Sequence, residues 1–122
     1  MQTATKTTRT DCLVARLGAD GPTAGLEIVG YEVQLPEGTV AGRHRHAYST
    51  VARVLDGVYQ FQIGDAAAMD FKAGEVFSEP AGAVVSGRAV TATTLYVVVV
   101  REPGVPEARP ARPCVVPQPA SC

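Results

Sequence analysis

Two histidines, His44 and His46, are the only ones in the chain, and they stand two residues apart. They lie in the stretch GTVAGRHRHAYSTVARVLDG, from Gly38 to Gly57, within a segment that reads as a β-strand. Side chains at i and i+2 of a strand leave from the same face. The two imidazoles therefore project side by side, about 7 Å apart along the strand. Three chemistries fit such a pair. The rings can hold a divalent metal, with water, Thr50, Glu79 or another side chain completing the shell. They can line a metal-free pocket as general acid and base near neutral pH. Or they can be satisfied by backbone and water alone.

The neighbouring residues divide by parity. Arg43 and Arg45 alternate with the histidines and should face outward. Tyr48, in the loop that follows, reads as a surface tyrosine or as one leaning over a pocket mouth. Thr50, Ala52 and Val54 share one face of the next strand. Gln60 and Gln62 form one face of the strand after it, opposite Tyr59, Phe61 and Ile63, and either face can be the inner one. If the Gln face points inward, it offers neutral hydrogen bonds to a ligand. Other chemistries find no footing: there is no GxSxG, no Gly-rich phosphate loop, no HExxH and no recognisable pair of carboxylates. Cys12, Cys114 and Cys122 show no CxxC spacing. They read as a buried Cys12 with two tail thiols, or as a Cys12–Cys114 staple in an oxidising compartment with Cys122 free.

The elements that must position these residues are short strands. Leu26–Leu35 alternates, with Gly30 a candidate bulge. Val40–His46 follows a Pro-Glu-Gly turn. Thr50–Leu55 and Val58–Ile63 are joined by Asp56–Gly57, a strong hairpin signal. Cys12–Leu17, Ala66–Phe71, Glu75–Glu79 and Ala83–Val90 complete the set with Thr93–Val100, whose β-branched run reads as a strand buried on both faces. Strands spaced by turn signals, with no helical period, predict an all-β sandwich or barrel. Residues 1–10 read as a flexible N-terminus. Residues 103–122, with six of the nine prolines, read as an extended tail or an arm packed on the barrel or on a partner.

At this point the sequence resembles a small single-domain cupin. The first cupin motif is Gly, five residues, His-x-His, three or four residues, Glu, six residues, Gly. Here Gly38, His44-Arg45-His46, Thr50 and Gly57 fit that spacing. In the second motif, Gly74, Pro80-Ala81-Gly82 and Val85 fit Gly, five residues, Pro-x-Gly, two residues, His. The resemblance covers roughly residues 26–101 and implies a double-stranded β-helix, a jelly-roll barrel over residues 11–102, commonly dimeric. It also implies a metal on two His and one Glu from the first motif and one His from the second. His44 and His46 match two of those ligands; Thr50 stands at the Glu position and Val85 at the last His position.

These readings lead to a small-molecule-binding cupin with a central pocket beside His44 and His46. The pocket is expected to include Tyr48, Thr50, Gln60 and Val85. The histidines are its candidate acid–base groups or metal ligands, with Glu79 a further candidate ligand. The cofactor is a divalent metal (iron, zinc, nickel, copper or manganese) or none. The alternatives are a metal-dependent dioxygenase, isomerase or cyclase, and a non-enzymatic sensor or carrier. The net charge of −1 and scattered basic residues offer no footprint for nucleic acid or for a membrane surface. The apolar run Leu95–Val100 is too short to span a bilayer. No signal peptide is visible, so the expected location is cytoplasmic, or periplasmic or secreted if a leader was removed. The apolar TTLYVVVV run and the Pro-rich tail favour a homodimer.

Overall fold

Alternating burial marks several strands of the computed structural model, which describes residues 6–111. Ten strands follow in order: β1 (Thr8–Arg16), β2 (Glu27–Leu35), β3 (Val40–His46), β4 (Thr50–Asp56) and β5 (Val58–Ile63), then β6 (Met69–Lys72), β7 (Val76–Glu79), β8 (Val85–Ala89), β9 (Thr93–Arg101) and β10 (Ala108–Pro110). They form two five-stranded antiparallel sheets, ordered β1-β2-β9-β4-β7 and β10-β3-β8-β5-β6. The fold is all-β, in the jelly-roll arrangement of a double-stranded β-helix. β1 begins at Thr8, ahead of the expected boundary at residue 11, and Ala108–Pro110 of the Pro-rich segment add a strand to the second sheet. Pro110 can end that strand because β10 lies at a sheet edge, where a missing N–H does no harm.

The two sheets enclose one core. Thr50, Ala52 and Val54 point inward from β4, as the parity of the sequence requires, and Val54 is fully buried. Tyr59 and Phe61 point inward from β5, so the Gln60 and Gln62 face is the outer one. Phe77 stacks on Tyr59 at 5.4 Å and on Phe61 at 4.6 Å between ring centroids. Contacts of this kind add about 0.5–1.5 kcal/mol each beyond the area they bury. β9 does alternate: Thr93, Leu95, Val97 and Val99 are buried, while Thr94, Tyr96, Val98 and Val100 are half-buried. A central strand flanked by β2 and β4 keeps its apolar outer face partly covered, which is why the chemical alternation is missing.

Three local expectations are corrected. The Asp56–Gly57 turn does not close a hairpin: β4 pairs with β7 and β9, and β5 with β6 and β8. It is instead the corner that carries the chain from one sheet to the other. Gly57 is required there, at φ +88°, because a Cβ would strike the Ala92 carbonyl oxygen. The bulge expected at Gly30 lies across the ladder on β1, where the register shifts between Asp11 and Leu13. Gly30 is small because the Tyr96 hydroxyl occupies the space a Cβ would need. Cys12, the extra residue in that bulge, is exposed rather than buried, with its Sγ donating to the Thr10 carbonyl oxygen at 3.4 Å. Cys114 and Cys122, and with them any staple to Cys12, lie outside the described residues. Among the described residues no helix is long and apolar enough to cross a membrane.

Candidate metal centre

A second bulge aims the histidines. Along β3 and β8, Ala41 pairs with Gly87 and His44 with Val85, so three steps on β3 oppose two on β8. The extra residue resets the alternation, and Ala41, His44 and His46 all face one cavity. The two imidazoles meet edge to face with centroids 5.0 Å apart, closer than the backbone spacing alone predicts. Glu79 joins them from β7. It pairs directly with Thr50 across the β4–β7 ladder, and directly opposed residues share a sheet face. Thr50 is completely buried on the inner face, so Glu79 must point inward as well.

The hydrogen bonds fix the tautomers. His44 Nδ1 lies 2.7 Å from the Gly42 carbonyl oxygen, and His46 Nδ1 lies 3.0 Å from the Glu107 carbonyl oxygen. A carbonyl can only accept, so each Nδ1 carries the proton and each Nε2 faces Glu79. His46 Nε2 is 2.9 Å from Glu79 Oε2, and His44 Nε2 is 3.7 Å from Oε1. The ligand atoms of His44, His46 and Glu79 all lie within 4.8 Å of one another. Two neutral imidazoles and a carboxylate, with each ring fixed from behind by a carbonyl, make a donor set suited to a first-row divalent metal with positions left open.

The same contacts set the charge states. Burial pushes the Glu79 carboxyl up, but hydrogen bonds from His44 and His46 outweigh it and bring it from the usual 4.5 to about 2. The Glu79 carboxylate raises His44 above its usual value, against the lowering effect of burial. Where His44 is protonated, its Nε2 proton faces the Glu79 carboxylate, and a metal must displace it.

The cavity has a volume of about 430 Å³. Val33, Leu35, Ala52, Phe77, Leu95 and Val97 make its apolar walls, and Tyr31 and Tyr59 bring phenols to it. Burial pushes the Tyr31 phenol up to about 12 and raises Tyr59 too, so both stay protonated and able to donate at neutral pH. Arg9 and Glu107 also line the cavity. The Arg9 guanidinium lies 3.7 Å over the Tyr31 ring and grips both Glu107 carboxylate oxygens at 2.7 and 3.0 Å.

The structure thus brings His44, His46 and Glu79 together, and it places the other expected pocket residues elsewhere. Thr50 is buried beside Glu79, its hydroxyl 3.5 Å from the Tyr48 carbonyl oxygen, and does not line the cavity. Val85 is packed in the hydrophobic core. Gln60 lies on the outer face and donates to Asp70 at 3.3 Å. Tyr48 turns away to donate to Glu102 at 3.0 Å. Sequence reasoning missed Tyr31, Arg9 and Glu107. Tyr31 shares the parity of Val33 and Leu35 and was findable on that ground. The meeting of Arg9 and Glu107, 98 residues apart, leaves no local signal.

The structure is a jelly roll in which His44, His46 and Glu79 meet at one cavity and could hold a metal ion. The family model for the cupin domain matches residues 31–101, and the chain belongs to that family. No curated protein matches it. Among solved structures it is similar to a conserved protein of unknown function from Streptococcus pyogenes (TM-score 0.60, 21% identity, 82% of this chain and 77% of that one). A cupin superfamily protein from Desulfitobacterium hafniense is similar too (TM-score 0.62, 10% identity, 80% of each chain). So is a salicylate 1,2-dioxygenase from Pseudaminobacter salicylatoxidans (TM-score 0.60, 18% identity), of which the match spans 26% against 78% of this chain. At these identities the likeness is one of fold.

Proposed function

We propose that this chain is a metal-dependent cupin that holds one divalent ion on His44 Nε2, His46 Nε2 and the Glu79 carboxylate, and acts on a small organic molecule in the adjoining cavity. The convergence of those three ligand atoms within 4.8 Å, with both Nδ1 atoms tied to carbonyls, carries the reading. Bound there, a metal supplies Lewis-acid polarisation of a ligand oxygen or, as iron, O₂ chemistry. The chain itself supplies the rest. Apolar walls exclude water, Phe77 and the aliphatic side chains fix the ligand's body, and the Tyr31 and Tyr59 hydroxyls can donate to its oxygens. The volume suits a small ligand of predominantly apolar surface. The salicylate 1,2-dioxygenase that shares this fold over 26% of its chain is named for a small aromatic acid, which supports a small organic ligand by analogy alone.

Metal content by plasma mass spectrometry, on protein purified without a His tag or chelator, tests it. About one ion per chain, lost in His46→Ala and in Glu79→Gln, is expected. No ion after reconstitution with iron, zinc, nickel, copper and manganese would overturn it. That result would favour a second reading, which rests on the closed 2.9 Å contact between His46 and Glu79: a metal-free pocket with a His–Glu acid–base pair. Saturable ligand binding without turnover would make the protein a sensor or carrier. We further propose that the protein is a homodimer, because β1 is exposed along its whole length and carries Leu13, Val14 and its own open edge.

A further inference from the structure

The segment that ends in β10 does more than extend a sheet. β10 pairs with β3 in register Ala108↔His46 and Pro110↔His44, which sets the preceding residue, Glu107, behind the His46 ring. Its main-chain carbonyl is the acceptor for His46 Nδ1, at 3.0 Å. Three residues of edge pairing, one of them a proline without an N–H, are a weak anchor by themselves. The side chain of Glu107 supplies the stronger one. Arg9 forks both its carboxylate oxygens at 2.7 and 3.0 Å, and Arg101 approaches one of them at 3.5 Å. Arg9 is itself held on two sides, by Asp11 at 2.9 Å and by the Tyr31 ring at 3.7 Å.

We infer that Arg9 and Glu107 are positioning residues for the metal centre: their ion pair clamps the Glu107 carbonyl onto His46 Nδ1, which fixes a proton on Nδ1 and leaves Nε2 turned to the site as the nitrogen that ligates. The inference rests on the metal reading above and adds to it a part of the chain that contributes no ligand atom. An imidazole without its rear acceptor can rotate or adopt the other tautomer, and Nε2 then presents a proton where a lone pair is needed. Removing such a rear partner typically weakens metal binding 10–100-fold. The fork matters as well as the charge. A lysine at position 9 reaches one carboxylate oxygen as a point charge and leaves the carbonyl free to swing.

The test uses the full chain with Arg9→Met, Arg9→Lys, Glu107→Gln and the double variant Arg9→Met/Glu107→Gln. Cobalt(II) affinity is read by competition with a chromophoric chelator, and the His46 Nδ1 proton by long-range ¹H–¹⁵N NMR on metal-free protein. Expected are a loss of about tenfold in affinity for either methionine or glutamine variant, a double variant no weaker than the worse single, and only partial recovery with lysine. In the metal-free variants the His46 Nδ1 proton should lose its protection from exchange. If Arg9→Met does not fold, Glu107→Gln, which keeps shape and carbonyl, carries the same comparison. Wild-type affinity, or an equally protected Nδ1 proton, in a folded variant would overturn the inference. If the wild-type protein binds no cobalt, the metal reading fails, and the Nδ1 proton still decides whether the clamp exists.

Discussion

His46 has acceptors at both ring nitrogens, the Glu107 carbonyl and the Glu79 carboxylate, and His44 meets the same carboxylate. That arrangement makes two pH predictions. Glu79 is lowered from 4.5 to about 2, so its contribution to stability is complete above pH 4.5 and is lost as pH falls toward 2. His44 is raised above 6.5, so its contribution is complete below pH 6.5 and is lost as pH climbs through the raised value. Melting temperatures of metal-free protein followed by circular dichroism should therefore be highest between about pH 4.5 and 6.5 and decline on both sides. Glu79→Gln should flatten that profile. Metal affinity should move the other way, rising with pH as the Nε2 protons leave, and a cobalt titration at several pH values checks it. The His-x-His pair was legible in the sequence because a period of two needs no tertiary information. The inward turn of Glu79 was not, because it follows from its pairing with Thr50, a contact made across two strands.

At the level of the strand, the β4–β7 ladder explains how a barrel with Thr50 and Val85 at two expected ligand positions still presents three ligands. Glu79 stands one strand over from Thr50, on the same face. Thr50→Glu would set a second buried carboxylate against Glu79, so it should destabilise the fold without tightening metal binding. Val85→His is different. Val85 is the direct β8 partner of His44, and an imidazole there can join the ring pair from the same face. Cobalt affinity should rise about tenfold, while urea unfolding of the metal-free variant should show a loss of about 2 kcal/mol from burying the polar ring. The strand boundaries were largely readable from alternation and turn residues. The Asp56–Gly57 corner was not, since the same dipeptide serves a hairpin or a change of sheet, and only the partners of β4 and β5 decide. Gly57→Ala should cost about 2 kcal/mol or more in unfolding free energy, from the positive φ and the collision with the Ala92 carbonyl.

Over the whole molecule, β1 is exposed along all nine of its residues, an arrangement that isolated barrels usually avoid. Light scattering should report a dimer, and Leu13→Asp should shift it toward monomer; a monomer at high concentration in the wild-type protein would end that expectation. Strand count and turn spacing made an all-β sandwich or barrel legible, and the resemblance of the two motifs to cupins implied the jelly roll, but the role of the Pro-rich segment was not legible, because Glu107 acts through its backbone and through an arginine 98 residues away. That distance has a consequence in time. Residues from near both ends of the described chain must meet before His46 is locked, and contacts so far apart in sequence carry a larger loop-closure entropy than local ones. The Arg9–Glu107 contact spans 98 residues, further than the pairings of β2 with β9 and of β3 with β8 that build the walls. A chain still being synthesised has both histidines long before it has Glu107, the group that holds His46, and on the proposed metal reading tight capture of an ion would report that β10 has docked.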